Sequence, residues 1–308
     1  MSGNPLLGAL DAQTLVDAVG LGAVYALMAV GIGLVFGVLR LVNFAYGQLI
    51  MAGAYTLAFT SQAGWPTWAG IAMCFVVVIV LSGVMDRLVF RPLRTQSPAV
   101  MLVTTFAIAF LLQSVALLVD VRDDTIGEPA ASVASLNQAI TVWGLEVRKV
   151  TIVAVVVAAV ALSLLALLLT RTRIGLQMRA AATDFATARL LGVRANTVIA
   201  TAVLLSAVIA AAVSVLLTVQ NPLVAPDFAL KETIIVLVGV VVGGIDRLWT
   251  ATLGGFAIGF ATGVINGALP TDKTVFLPSV VFALVILVLL IRPSGLFARG
   301  GTSLVERV

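Results

Sequence analysis

The sequence contains no histidine, a single cysteine and few charges. Without histidine it lacks the commonest metal ligand and the commonest general base. Cys74 has no partner for an internal disulfide, and it sits in an apolar run, where a thiol behaves as a small hydrophobe. No Gly-Lys pair occurs, so there is no P-loop for ATP. No His/Cys cluster offers a metal site, and no pair of carboxylates falls inside an apolar stretch. The net charge of +4 comes without a basic patch interleaved with aromatics, which excludes nucleic acid as a partner. No Lys or Arg precedes Arg40, whereas a cleaved leader carries a basic start. The first apolar run is therefore expected to persist in the mature protein.

What the chain has instead is apolar length. Of its 308 residues, 61% are hydrophobic and 10% charged, and the mean hydropathy is +1.17. A soluble domain is about a quarter charged, so the solvent for most of this surface is lipid. A bilayer span needs about 20 apolar residues. That rule predicts nine helices, near 15–38, 41–60, 66–90, 99–119, 150–169, 198–219, 230–245, 249–268 and 275–291. The seventh is short and has the look of a broken or re-entrant segment. The expected fold is an all-α polytopic bundle of about eight to ten transmembrane helices. The whole chain, 1–308, is expected to form one domain in a cell (inner) membrane.

Charge sets the orientation. Arg171, Arg173, Arg179, Arg189 and Arg194 crowd one loop, and Arg87, Arg91 and Arg94 another. Segment 120–149 is acidic instead, with Asp120, Asp123, Asp124, Glu128 and Glu146. The positive-inside rule puts the arginine-rich loops in the cytoplasm and 120–149 outside. With nine spans, 13 of the 18 basic residues then face the cytoplasm.

Three features stand out. Gly255, Gly259, Gly263 and Gly267 form a stripe along one helix, as do Ala29, Gly33 and Gly37 on the first. Small residues let helices approach closely in lipid, where no hydrophobic force joins them. Second, Asn43, Tyr46, Gly47 and Gln48 make a polar interruption that can line a solute path, as broken helices often do. Asn43 serves equally as a plain helix cap. Gly243 and Gly244, beside Gly239, form a further candidate path position or a simple turn. Third, the loop 171–197 holds a short helix with its own punctuation. Asp184 suits its N-cap, Arg189 its last turn and Gly192 its C′ position. Phe185, Arg189 and Leu190 give it apolar and charged contacts, which favours a docking surface for a soluble partner; Gly175 and Arg179 lie in the same loop. The predicted spans hold almost no charge, which argues against ion coupling and leaves transport energy to a partner.

These residues resemble the LivH-type permeases of branched-chain amino acid ABC importers. The likeness rests on Leu41-Val42-Asn43-Phe44-Ala45-Tyr46-Gly47, on the loop from Thr172 to Val193, and on Arg292-Pro293-Ser294-Gly295-Leu296-Phe297. It implies a coupling helix that docks into cytoplasmic ABC ATPase subunits, two of which bind ATP-Mg. This chain itself would be no enzyme and would bind no cofactor. It further implies a second permease subunit and an extracytoplasmic solute-binding protein that delivers leucine, isoleucine or valine. Two positions depart from the family, which often has His at Tyr46 and an acid at Gln48. A third departure replaces a Gly-Ser-rich turn with Ile245-Asp246-Arg247-Leu248-Trp249. Urea or short amides, or an ion-coupled mechanism, are the alternatives.

Overall fold

The computed structural model describes residues 11–39, 43–93, 96–120, 128–134, 136–142, 145–244 and 247–292. The tail motif beyond Arg292 and the Ile245-Asp246 pair lie outside them.

Nine apolar helices occur among the described residues, and they follow the expected spans closely. They are α1 (Ala12–Leu39), α2 (Tyr46–Gln62), α3 (Thr67–Met85), α4 (Pro98–Asp120) and α5 (Lys149–Arg171). Two short helices, α6 (Arg173–Thr183) and α7 (Phe185–Leu190), precede α8 (Ala195–Gln220), α9 (Leu230–Gly243), α10 (Leu248–Ala268) and α11 (Leu277–Ile291). Seven are long and apolar enough to cross a bilayer. The exceptions are α2, with 17 residues, and α9, with 14. At 1.5 Å per residue α9 reaches only about 21 Å, well short of a hydrocarbon core.

The expected second span starts too early. The chain from Asn43 to Ala45 is a turn, and the helix begins at Tyr46. The Asn43 carboxamide oxygen accepts the Ala45 N–H at 3.1 Å, so local side-chain bonding competes with helix there despite the apolar neighbours. The third span runs on through a π-helical turn at Asp86–Phe90, where Arg91 Nε meets Asp86 Oδ2 at 3.0 Å.

The glycine stripe decides the central packing. A Cβ built at Gly259 would stand 2.8 Å from Gly22 Cα, and one at Gly263 would stand 2.5 Å from Ala18 Cα. Gly255 meets Ala29 and Gly267 meets Thr14, so α10 runs antiparallel to α1 with backbone against backbone. Only van der Waals contact at that range can replace the missing hydrophobic force. α1 and α8 form the core, and their apolar windows are 83% and 72% buried. α4, α5 and α11 are peripheral, at 22%, 17% and 11%. Their outer faces carry Phe110, Leu118, Leu164 and Leu290 in the open, as lipid contact requires.

The two ends differ. At one, Gln13 Nε2 donates to Glu146 O at 2.7 Å, and Gln62 bonds Glu128. Short strands cap this end: β1 (Glu128–Pro129) pairs with β4 (Leu223–Val224), and β2 (Ala139–Val142) with β3 (Leu145–Arg148). The other end gathers Asp86–Arg91, α6, α7 and the α9–α10 turn. With the arginine-rich end inside, Trp65 and Trp68 are exposed at the outer boundary and Trp249 at the inner one, the belt positions of amphipathic rings.

Candidate functional site

The long helix α8 serves as a depth gauge. Ser206 Oγ donates to Gly31 O at 2.8 Å, and Ser214 Oγ donates to Ile50 O at 2.8 Å. Ser206 lies about 17 Å along a helix of about 39 Å, near the middle of the bundle. The Tyr46 hydroxyl abuts Gly31 at this level. Helix α2 therefore begins near the midplane and rises along α8 to the outer end.

A second helix begins at the same depth. A Cβ at Gly47 would stand 2.5 Å from Thr233 Oγ1 and 3.1 Å from Ala229 O. Ala229 and Thr233 flank the first turn of α9. After Gln220 the chain thus folds back inward through Asn221–Phe228 before α9 starts. α9 then descends to the inner end, where Gly243 packs on Thr250 and Gly254 of α10. The first turns of α2 and α9 meet inside the bundle, one helix leading out and the other in. Turn carbonyls take up first-turn N–H groups at both starts, Tyr46 N donating to Asn43 O at 3.3 Å and Leu230 N to Asp227 O at 2.9 Å, and a discontinuous helix is tolerated at this depth where it is enclosed by protein or lines a cavity.

The polar groups expected for a path cluster at this meeting point. Asn43, Tyr46, Gly47 and Gln48 are all buried, with Asn43 5% and Gln48 1% exposed. Among the described residues, Tyr46 Oη and Gln48 Oε1 find no hydrogen-bond partner. Leaving such groups unpaired inside a fold costs about 1–3 kcal/mol each, a cost more typical of function than of packing. Gly243 and Gly244 do not join them. They close the turn between α9 and α10 at the far end of α9, with Gly244 at φ +102° and its carbonyl accepting from Thr250 Oγ1 at 2.8 Å.

Outward of the meeting point lies a recess of about 380 Å³. Asn221, Leu223, Asp227, Phe228, Lys231 and Glu232 line it. Glu232 Oε2 is buried with no hydrogen-bond partner among the described residues, while Lys231 Nζ stands 3.9 Å from Asp227 Oδ2. In the sequence Asn221, Pro222, Pro226 and Asp227 read as an interruption on the outer side or as loop punctuation, whereas Lys231 and Glu232 do not stand out. The available signal was a lone acid opening the shortest apolar stretch, just after Pro226-Asp227.

At the inner end the loop is more ordered than the sequence suggests. α6 is a helix of its own, capped by Thr172, whose Oγ1 accepts the Gly175 N–H at 3.0 Å. Gly175 is buried, and its Cα faces Leu169 so closely that a Cβ would stand 2.5 Å from Leu169 Cα. Arg179 is exposed. Asp184 Oδ1 accepts the Thr187 N–H at 3.1 Å, which caps α7. α7 ends in a Schellman pair: Gly192 N donates to Arg189 O at 3.1 Å and Val193 N to Ala188 O at 3.0 Å. Gly192 takes φ +90° to do so. Phe185 opens α7, Arg189 is exposed in its last turn, and Leu190 and Leu191 are 88% and 81% exposed.

The family model for branched-chain amino acid transport system permease components matches residues 14–291. The permease protein BraD of Pseudomonas aeruginosa is 30% identical over 93% of this chain and 95% of its own length. LivH of Escherichia coli has the same identity and coverage. Both are named as permeases of high-affinity branched-chain amino acid transport systems. A probable LivH permease of Methanocaldococcus jannaschii is 25% identical over 88% of this chain and 87% of its own length. Among solved structures, PsaBC from Streptococcus pneumoniae in complex with Fab contains a chain with the same fold. That chain matches at 14% identity and a TM-score of 0.53, over 93% of each chain.

Proposed function

This chain belongs to the branched-chain amino acid transport system permease family, and from that premise we propose how its geometry moves a solute. It is a multi-pass subunit of an inner membrane and forms the translocation path of an ABC importer for leucine, isoleucine, valine or related small amino acids. The path runs past the meeting of α2 and α9, because that is where buried polar atoms lie unpaired inside an apolar bundle. Asn43 holds the turn, Gly47 lets the two first turns touch, and Tyr46 and Gln48 offer uncharged hydrogen-bonding groups to a passing solute. Gly243 and Gly244 stand apart from this group and turn the chain from α9 into α10 at the inner end. The single supporting observation is this pair of short helices, 17 and 14 residues long, that start at one depth and run in opposite directions.

Force enters from the cytoplasm. The paired helices α6 and α7 present Arg179, Arg189 and Leu190 to a docking ATPase, and Phe185 belongs to the same contact. Two ATPase subunits bind and hydrolyse ATP-Mg, a second permease completes the pore, and an extracytoplasmic protein delivers the solute. Gly175 sets α6 tightly on α5, so a push on α7 passes to a membrane helix.

The experiment is uptake of labelled leucine into proteoliposomes holding the full assembly. Asp184→Arg removes the α7 cap, and Gly192→Pro removes its C′ donor and forbids φ +90°. Both variants are expected to insert and fold normally while uptake falls about tenfold or more. Undiminished ATP-driven uptake in both would overturn the coupling assignment.

A further inference from the structure

The outer recess combines features that no packing requirement explains. Glu232 occupies the first turn of α9, at the level where α2 begins, yet its Oε2 is buried without a hydrogen bond to any described residue. A carboxylate in a bundle interior is costly unless something pairs with it. Lys231, beside it in the chain, stands 3.9 Å from Asp227 Oδ2 and keeps its side chain 70% exposed. Asn221 adds a carboxamide, while Leu223 and Phe228 supply an apolar wall. A volume of about 380 Å³ lies within the range of sites for small molecules, about 300–1,000 Å³.

We propose that this recess is a binding site for a zwitterionic α-amino acid, with Glu232 as the residue that receives the α-ammonium group. Lys231 swings from its long contact with Asp227 to the ligand carboxylate, and the aliphatic side chain rests on Leu223 and Phe228. The site is lined by the first turn of α9, the turn that Gly47 touches at Ala229 and Thr233, so it holds the solute just before the point where α2 and α9 meet. Its specificity is for the charge pair of the ligand, because each charge finds an opposite partner and a solute lacking the ammonium leaves Glu232 unpaired. This inference rests on reading the chain as an amino acid permease.

The test uses the full chain in nanodiscs and isothermal titration with L-leucine and with 4-methylpentanoate, which lacks the ammonium. The wild type is expected to saturate with leucine and not with 4-methylpentanoate. Glu232→Gln should weaken leucine binding about tenfold or more, the scale of a lost charged hydrogen bond. Glu232→Asp should fall between the two, which separates loss of charge from misfolding. Lys231→Met should cost about threefold, since an exposed charge is screened. Equal binding of leucine and 4-methylpentanoate, no leucine saturation in the wild type, or unchanged leucine binding by Glu232→Gln would each overturn the inference. Uptake by the full assembly separates the two levels. Leucine uptake that Glu232→Gln leaves intact removes the inference alone. A wild-type assembly that moves amides and no α-amino acid removes the parent reading with it.

Discussion

The seam between α1 and α10 and the junction between α2 and α9 are both built on glycine, but they use it for opposite ends. Along the seam, four glycines bring two full-length helices into backbone contact, and the residues facing them are Thr14, Ala18, Gly22, Tyr25 and Ala29. At the junction, one glycine brings two helix starts together, and the residues around it include Tyr46 and Gln48 with unpaired polar atoms. The seam is continuous and satisfied. The junction is interrupted and unsatisfied. Close packing in lipid stabilises when every backbone group is already bonded inside its own helix, and it opens a polar site when helices end.

Four substitutions bear on that contrast. The largest effect is expected at the seam. Gly259→Leu would drive a side chain into Gly22 and the Leu21 carbonyl, and overpacking against backbone has no cheap relief. Folded, monodisperse protein should fall about tenfold or more in membrane extracts; normal yield would show that the seam tolerates separation. Gly47→Val comes next. It presses on Thr233 and the Ala229 carbonyl, so leucine uptake should drop several-fold while extraction yield changes little. If yield collapsed with uptake, the junction would be a seam like the other. Asn43→Ala removes the bond to the Ala45 N–H and should lower the melting point by the equivalent of about 1 kcal/mol, with a matching loss of uptake and normal ATPase association. Tyr46→Phe is the sharpest and the smallest. Deleting an unpaired buried hydroxyl should leave thermal stability unchanged or raise it by up to about 1 kcal/mol, yet slow uptake. A clear loss of stability would mean that the hydroxyl is part of the packing after all.

The bundle was largely legible, because apolar runs of about 20 residues mark spans without reference to anything distant. The ends of α8, α10 and α11 fall within about three residues of their predicted limits. The small-residue stripe was visible too, but its partner was not, since periodicity on α10 says nothing of which helix it meets. The start of α2 was misplaced because Leu41-Val42 and Phe44-Ala45 read as span, while one Asn side chain diverts the backbone. The short helix α6 was missed because its cap, Thr172, follows directly on the apolar run of α5. The recess was invisible for a deeper reason. Depth is a property of how 221–229 folds back along α8, and no local pattern encodes it. The two-residue strands that join Glu128 to Val224 across about a hundred residues are hidden in the same way.

The tip of α7 has a consequence for the protein before it is assembled. Leu190 and Leu191 stand almost wholly exposed, just before the Gly192 stop. Burying two leucines is worth a few kcal/mol, so a copy without neighbours bears a sticky, protease-accessible point at its arginine-rich end. Solitary copies should therefore be short-lived in the cell, and the abundance of this chain should track that of whatever covers the point.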